Sequence, residues 1–239
     1  MSDQSRRAVI LAGGRGTRLR PYTVVLPKPL MPIGDYPVLE VIIRQLAHYG
    51  FGHITLAVNH QADIIKAYFG DGSKWGLRID YSLEDKPLST MAPLRLIPGL
   101  PEHFLVMNGD VLTDLDFGAF YETHVRNDEI FTVSSHIREQ VNLYGVLETN
   151  SEGYLSGFRE KPKVIFEVSM GVYMVSRRAM EFIPHGEPYG FDHLMLDLMA
   201  AGKPARVQPY QGYWLDIGRP DDYMQAIEEF DKQQDRFLK

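Results

Sequence analysis

A chain of 239 residues, 44% apolar and 23% charged, is long enough for one large domain or two small ones. Its formal charge of −6 argues against a general nucleic-acid binder, and the absence of cysteine excludes a disulfide framework and a thiolate metal site. The polar start MSDQSRR lacks the apolar core of a signal peptide, and no apolar run approaches the roughly 20 residues of a membrane span, so a cytoplasmic setting without membrane partners is expected.

The first element is a buried strand at 8–11, bounded by glycines. Gly13, Gly14 and Gly16 follow at once and permit backbone N–H groups to approach a ligand. Arg15, Arg18, Arg20 and Lys28 add positive charge with no acidic residue among them. Bare amides ringed by guanidiniums suit a polyphosphate, although a short Gly-rich turn also reads as a solvated loop. A P-loop is excluded because Thr17-Arg18 follows Gly16, and a dinucleotide fingerprint because Leu19 stands where its last glycine belongs. Pro27 and Pro29 flank Lys28 and are expected to hold it extended, with its ammonium aimed.

Beyond this loop, apolar spacing predicts a helix over 38–46 with Pro37 at its first position and Gly50 as its stop. A strand over 53–58, a helix over 61–69 capped by Asn59, and strands over 77–82 and 104–107 complete the first half. Such alternation predicts a mostly parallel sheet flanked by crossover helices, with ligands at the strand carboxyl ends. The second half reads as strands over 130–136, 144–148, 155–159 and 166–175 joined by short turns, which is hairpin-like. Helices at 177–183 and 192–201, strands near 205–208 and 212–216, and a last helix from Pro220 close the chain. With no linker-like stretch, one α/β domain over 1–239 is expected, with two lobes, over about 1–128 and about 129–239.

Two carboxylates stand at strand ends beside glycine: Asp110 in Asn108-Gly109-Asp110, and Asp216 in Tyr213-Trp214-Leu215-Asp216-Ile217-Gly218. Mg²⁺ takes one or two carboxylates plus phosphate oxygens, and this pair fits that need, while each alone also suits a turn. Asp114 and Asp116 read as turn and cap residues. Lys161, in Arg159-Glu160-Lys161-Pro162, precedes proline and is expected to be extended, projecting a charge toward a second phosphate or into solvent.

Together, GGRGTRLRP, PKPLMP, the NGD of 108–110, FREKP and YWLDIG resemble the signature of the sugar-nucleotide pyrophosphorylases, which join a nucleoside triphosphate to a sugar 1-phosphate. The look is closest to the short mannose- or heptose-1-phosphate guanylyltransferase branch. The resemblance implies a Rossmann-like, mostly parallel mixed sheet and a hairpin-rich acceptor lobe. It implies that Gly13, Gly14, Gly16 and Thr17 wrap the nucleotide phosphates, with Leu11, Ala12, Arg15, Leu88, Ser89, Thr90, Asn108 and Gly109 also on the nucleotide. Arg18 and Lys28 would neutralise departing pyrophosphate, Asp110 and Asp216 would hold Mg²⁺, and Lys161 would grip the sugar phosphate. Gly145, Glu160, Ser169, Gly171 and Trp214 would lie near the sugar. GTP is favoured over UTP, dTTP and CTP, and a homodimer is expected; a glycosyltransferase or a nucleotide-sensing regulator would be the alternatives. Within the base-side segment 88–94, Ser89 and Ala92 replace glycines and Met91 replaces a small residue; Ser169-Met170-Gly171 replaces Asn-Ala-Gly.

Overall fold

In the computed structural model the described residues are 6–14, 16–59 and 61–238. In chain order the elements are β1 (Arg7–Leu11), β2 (Pro32–Ile33), β3 (Tyr36–Pro37), α1 (Val38–His48), β4 (His53–Val58), α2 (Ala62–Phe69), β5 (Arg78–Leu83), β6 (His103–Asn108), β7 (Val111–Thr113) and α3 (Phe117–Arg126). There follow β8 (Phe131–Val141), β9 (Val146–Thr149), β10 (Leu155–Arg159), β11 (Lys163–Ser176), α4 (Phe191–Ala200), β12 (Arg206–Pro209), β13 (Trp214–Asp216), α5 (Pro220–Lys232) and α6 (Gln234–Phe237).

Seven strands form one mixed sheet in the order β12-β8-β11-β6-β1-β4-β5. β1 runs parallel to both β4 and β6, β4 to β5, and β12 to β8, while β11 runs antiparallel to β6 and β8. The central strands are apolar on both faces because both faces are covered. Ala8 and Ile10 of β1, with Leu105 and Met107 of β6, face a core closed by α1, α2, α3 and α5. Val9, Phe104 and Val106 face a second core closed by α4 and by the 3₁₀ turns Ala92–Leu96 and Arg177–Phe182. The 177–183 segment, expected as a helix, is therefore a 3₁₀ turn. Asp116 caps α3 by accepting from the Ala119 N–H at 2.8 Å, as its position before an apolar run suggests.

Three local expectations are corrected. Pro37 lies just outside α1, as its N-cap. Asn59 does not cap α2 with its side chain; that helix has Gln61 at its N-cap without a side-chain cap bond, and the Asn59 amide instead donates to the Gly13 carbonyl. Lys28 is not extended but opens a 3₁₀ turn, in which Leu30 N–H donates to the Pro27 carbonyl (2.8 Å) and Met31 N–H to the Lys28 carbonyl (3.0 Å). The fixed φ of Pro29 suits an early turn position, and that preference prevails. Among the described residues no helix is long and apolar enough to cross a membrane.

Candidate active site

The carboxyl ends of neighbouring parallel strands meet at one cavity of about 550 Å³. Register sets this convergence: Leu11 pairs with Asn108 and Ala57, and the Gly109 N–H donates to the Leu11 carbonyl at 3.0 Å. The last residue of β1, Leu11, and the loop after it, with Gly13, Gly14, Gly16, Thr17, Arg18 and Lys28, contribute to the wall. Asn59 comes from the end of β4, Glu84, Pro87, Ser89 and Thr90 follow β5, Asn108 ends β6 and Asp110 follows it, and Gly218 follows β13.

The loop after β1 is folded on itself. Gly16 sits at φ +60°, and its carbonyl accepts from Leu19 N–H (2.9 Å) and from Thr23 Oγ1 (2.7 Å). A Cβ there would meet Thr23 Cγ2 at 2.9 Å and Lys28 Cβ at 3.2 Å, so shape and dihedral both demand glycine. This turn brings Lys28 back beneath the glycines.

The two aspartates come together through a short antiparallel pair. β13 lies on β7 with Asp216 opposite Val111, and the Ile217 N–H donates to the Asp110 carbonyl at 2.9 Å. Lys28 Nζ is paired with Asp110 Oδ2 and lies 4.0 Å from Asp216 Oδ1. The Lys28 and Asp110 side chains are only 10% and 18% exposed, Asp216 38%. Arg18 approaches from the open side: a methyl added to Gly218 would lie 3.1 Å from Asp216 Oδ2 and 3.3 Å from Arg18 Nη2. Burial, and then the charge of Asp110, push the Asp216 carboxyl above its ordinary range, with Lys28 and Arg18 pulling the other way. A carboxylate pair so placed favours any cation brought between its members. Asp114, by contrast, accepts from Tyr213 N–H (2.7 Å), Tyr210 OH (2.5 Å) and Arg236 Nε (2.5 Å), and holds the C-terminal segment to β7.

Other residues singled out by sequence are placed as follows. Ala12 and Leu88 are buried behind the cavity wall, and Gly109 lies under the strand ends; none lines the cavity. Arg15 lies outside the described residues. Ser89 stands at φ +69°, so the side chain that replaces glycine does carry the strain expected of it, whereas Ala92 opens an ordinary 3₁₀ turn. A register shift between Ser169 and Tyr173 puts Gly171 at φ +71°, where a Cβ would be 2.5 Å from Asn108 Nδ2. Ser169 Oγ accepts from the Gly171 N–H (3.2 Å), and Trp214 Nε1 donates to the Met170 carbonyl (2.9 Å), so these residues gather beside Asn108. Gly145 and Glu160 face each other across the β9–β10 hairpin. Lys161 is corrected: it is not extended but stands at φ +41° in the turn into β11. Proline at 162 disfavours the right-handed helical region for Lys161, and a tight reversal excludes the extended one. Neither Lys161 nor Glu160 lines the cavity.

Sequence reasoning missed Asn59, Glu84, Pro87 and Gly218. The strand-end rule, applied to β4 and β5 as it was to β1 and β6, would have found the first two. Glu84 accepts from the Leu88 N–H at 3.2 Å, and burial pushes its carboxyl up.

The family model for nucleotidyl transferases matches residues 7–233. The chain belongs to that family. Its relatives include the UTP–glucose-1-phosphate uridylyltransferase of Synechocystis sp., 35% identical over 92% of this chain and 62% of that protein. They also include the mannose-1-phosphate guanylyltransferase of Mycobacterium tuberculosis, 30% identical over 95% of this chain and 65% of that one. The chain thus spans less than two thirds of the length of these relatives. Among solved structures it is similar to HddC from Yersinia pseudotuberculosis, with a TM-score of 0.72, 28% identity, and 94% of this chain and 99% of that chain covered. HddC has also been solved in complex with GMP-PN, and that structure is likewise similar. Membership accounts for the Rossmann-like sheet.

Proposed function

We propose that this protein joins a nucleoside triphosphate to a sugar 1-phosphate, releasing pyrophosphate, in the cytoplasm. The observation that carries this reading is the Lys28–Asp110 pair on the wall of a cavity that also presents Gly13, Gly14, Gly16, Thr17 and Arg18, with Asp216, itself outside the cavity lining, 4.0 Å from Lys28 Nζ. A sugar 1-phosphate oxygen is already an anionic nucleophile, so no general base is needed. Its attack on the α-phosphorus forms one P–O bond as the bond to the pyrophosphate oxygen breaks. Catalysis then rests on placement and on cancelling charge. The glycine-loop amides hold the phosphates, and Arg18 and Lys28 take up charge developing on the leaving group.

The donor set fits a hard divalent cation: two carboxylates converge, and Asp216 carries a charge that burial and Asp110 disfavour. Asp110 and Asp216 would hold Mg²⁺, which when bound supplies positive charge to the phosphate oxygens. We assign the nucleotide to a lobe over about 1–128 and the sugar phosphate to one over about 129–239, with Lys161, Glu160 and Gly145 on the acceptor side. GTP is favoured by the HddC likeness and by the guanylyltransferase relatives; the Synechocystis relative makes UTP the second reading. A panel of triphosphates against a panel of sugar 1-phosphates, scored by released pyrophosphate, tests both; no release with any pair would refute the reading.

A second copy of the chain is the proposed partner of the ribbon built from β8, β9, β10 and β11, where Leu143, Tyr144, Leu147, Phe158 and Ile165 are all exposed. Eleven large apolar side chains between Ile137 and Phe166 are exposed there. At roughly 100 Å² apiece they offer on the order of 1,000 Å² over the two faces of the ribbon, so a second copy must wrap both faces to reach the level of a stable interface, about 800 Å² per partner. Sedimentation should give the mass of two chains, and Ile165→Asp should give one; a monomeric wild type would refute it.

A further inference from the structure

The strands that end at the catalytic cavity also wall a second cavity, of about 540 Å³, nearer their amino ends. It is lined by Arg7, His53, Thr55, Arg78, Asp80 and Ser82, among others, and by the 96–99 turn. Arg7 begins β1 and Leu11 ends it, so about 13 Å of strand separates this cavity from the catalytic one.

Arg7 is the anomaly. It is only 7% exposed. Its Nη1 donates to the carbonyls of Pro98 (3.1 Å) and Gly99 (3.0 Å), and its Nη2 to Thr55 Oγ1 (2.9 Å). Its Nε–H is buried and has no acceptor among the described residues. A buried charge is normally paired with an opposite charge, and a buried donor with an acceptor. Among the described residues no carboxylate forms an ion pair with Arg7. The one acid on the cavity wall, Asp80, is engaged elsewhere, by His53 Nε2 at 2.7 Å and Arg78 Nη2 at 2.9 Å. Burial holds the Arg7 guanidinium below its ordinary pKa, with only the distant pull of Asp80 against it. Burial also lowers the pKa of His53. The wall therefore presents two guanidiniums against one carboxylate, together with the hydroxyls of Thr55 and Ser82. The 96–99 turn that Arg7 holds continues from the segment carrying Ser89 and Thr90 into the catalytic cavity.

We propose that this second cavity is an anion-binding site, distinct from the catalytic one, for a small metabolite whose phosphate or carboxylate group is met by the cavity-lining guanidiniums of Arg7 and Arg78. A guanidinium with two of its nitrogens already fixed by protein acceptors is pre-organised to meet an oxyanion.

The test is the Nε–H resonance of Arg7 in the ¹⁵N-labelled full chain. Burial protects that proton from exchange, and Arg7→Lys identifies the signal by removing it. Inorganic phosphate is titrated in one arm and citrate in the other. A saturable shift in the millimolar range is expected, and the arm that produces it names the oxyanion class. The shift should persist in Lys28→Met, which disables the catalytic cavity. It should weaken several-fold in Arg78→Ala, which releases the Asp80 charge against the ligand. No shift in either arm overturns the proposal, as does a shift lost in Lys28→Met or an affinity unchanged by Arg78→Ala. No turnover is measured, so failure here leaves the nucleotidyltransferase reading standing.

Discussion

Gly16→Ala gives the sharpest test of how the β1 loop works, because two separable costs fall on one methyl group. At φ +60° an L-residue sits in the left-handed region, at about 1–2 kcal/mol, offset by about 0.4–1 kcal/mol from the stiffer unfolded chain. The new Cβ would also stand 2.9 Å from Thr23 Cγ2 and 3.2 Å from Lys28 Cβ, an overpacking that costs about 1–3 kcal/mol. The sum centres on about 2.5 kcal/mol, which for a chain of this size lowers Tm by roughly 5–10 °C. If the loop yields instead of the fold, Lys28 and Arg18 move, and a displacement near 1 Å costs about 100-fold in turnover.

Thermal melting and pyrophosphate release, measured together, capture both routes. Gly14→Ala is the control, since its Cβ would meet nothing within 4 Å; its Tm should match wild type. Thr23→Ser in the Gly16→Ala background removes the clashing Cγ2 but keeps the hydroxyl that donates to the Gly16 carbonyl. It should restore the steric part of the loss and leave the dihedral part. Wild-type Tm and wild-type turnover in Gly16→Ala would show that the loop does not depend on this turn.

Asp110→Ala removes the partner of Lys28 and a proposed metal ligand; pyrophosphate release should fall by at least about 100-fold, and near wild-type turnover would contradict the assignment. Asp216→Asn should raise Tm at pH 7 while turnover is lost. The folded pKa of Asp216 is raised, so the stability linked to its neutral form is full below the unfolded value of 3.8 and is lost as pH rises through the folded one. The Tm gain should therefore vanish as pH falls below about 3.8; a destabilised Asn variant at pH 7 would reverse the sign. Lys161→Ala should raise KM for the sugar phosphate far more than for the nucleotide, and a selective loss of nucleotide affinity would exchange the lobes.

Legibility in the sequence followed the range of the interaction. β1, β4 and β6 are short apolar runs flanked by glycine or polar residues, and local pattern was enough to read them. The meeting of strand ends was equally legible for Gly13, Gly14, Gly16, Thr17, Arg18 and Asp110, because parallel topology forces those ends together. Lys28 and Lys161 were read too simply. Flanking proline restricts a residue without choosing among the conformations left, and in both cases a turn held by its surroundings made the choice. Gly171 was singled out only through the family resemblance, and the reason for its glycine was not legible: it answers to Asn108, sixty-odd residues earlier, through a bulge that no local pattern announces.

The pairing of Asp110 with Asp216 shows where sequence reading ends and packing begins. The two lie over a hundred residues apart, and only the three-residue match of β13 to β7 joins them. Holding two carboxylates this close works against folding, since burial and mutual repulsion both disfavour the charge on Asp216. Lys28 relieves part of that cost by bonding to one carboxylate and standing 4.0 Å from the other. A site maintained at the expense of stability points to a use in which a further cation and an anionic substrate complete the charge balance. The same reasoning explains why the cluster rests on rigid strand ends and not on the exposed ribbon: a repelling pair stays together only where the backbone beneath it cannot move apart.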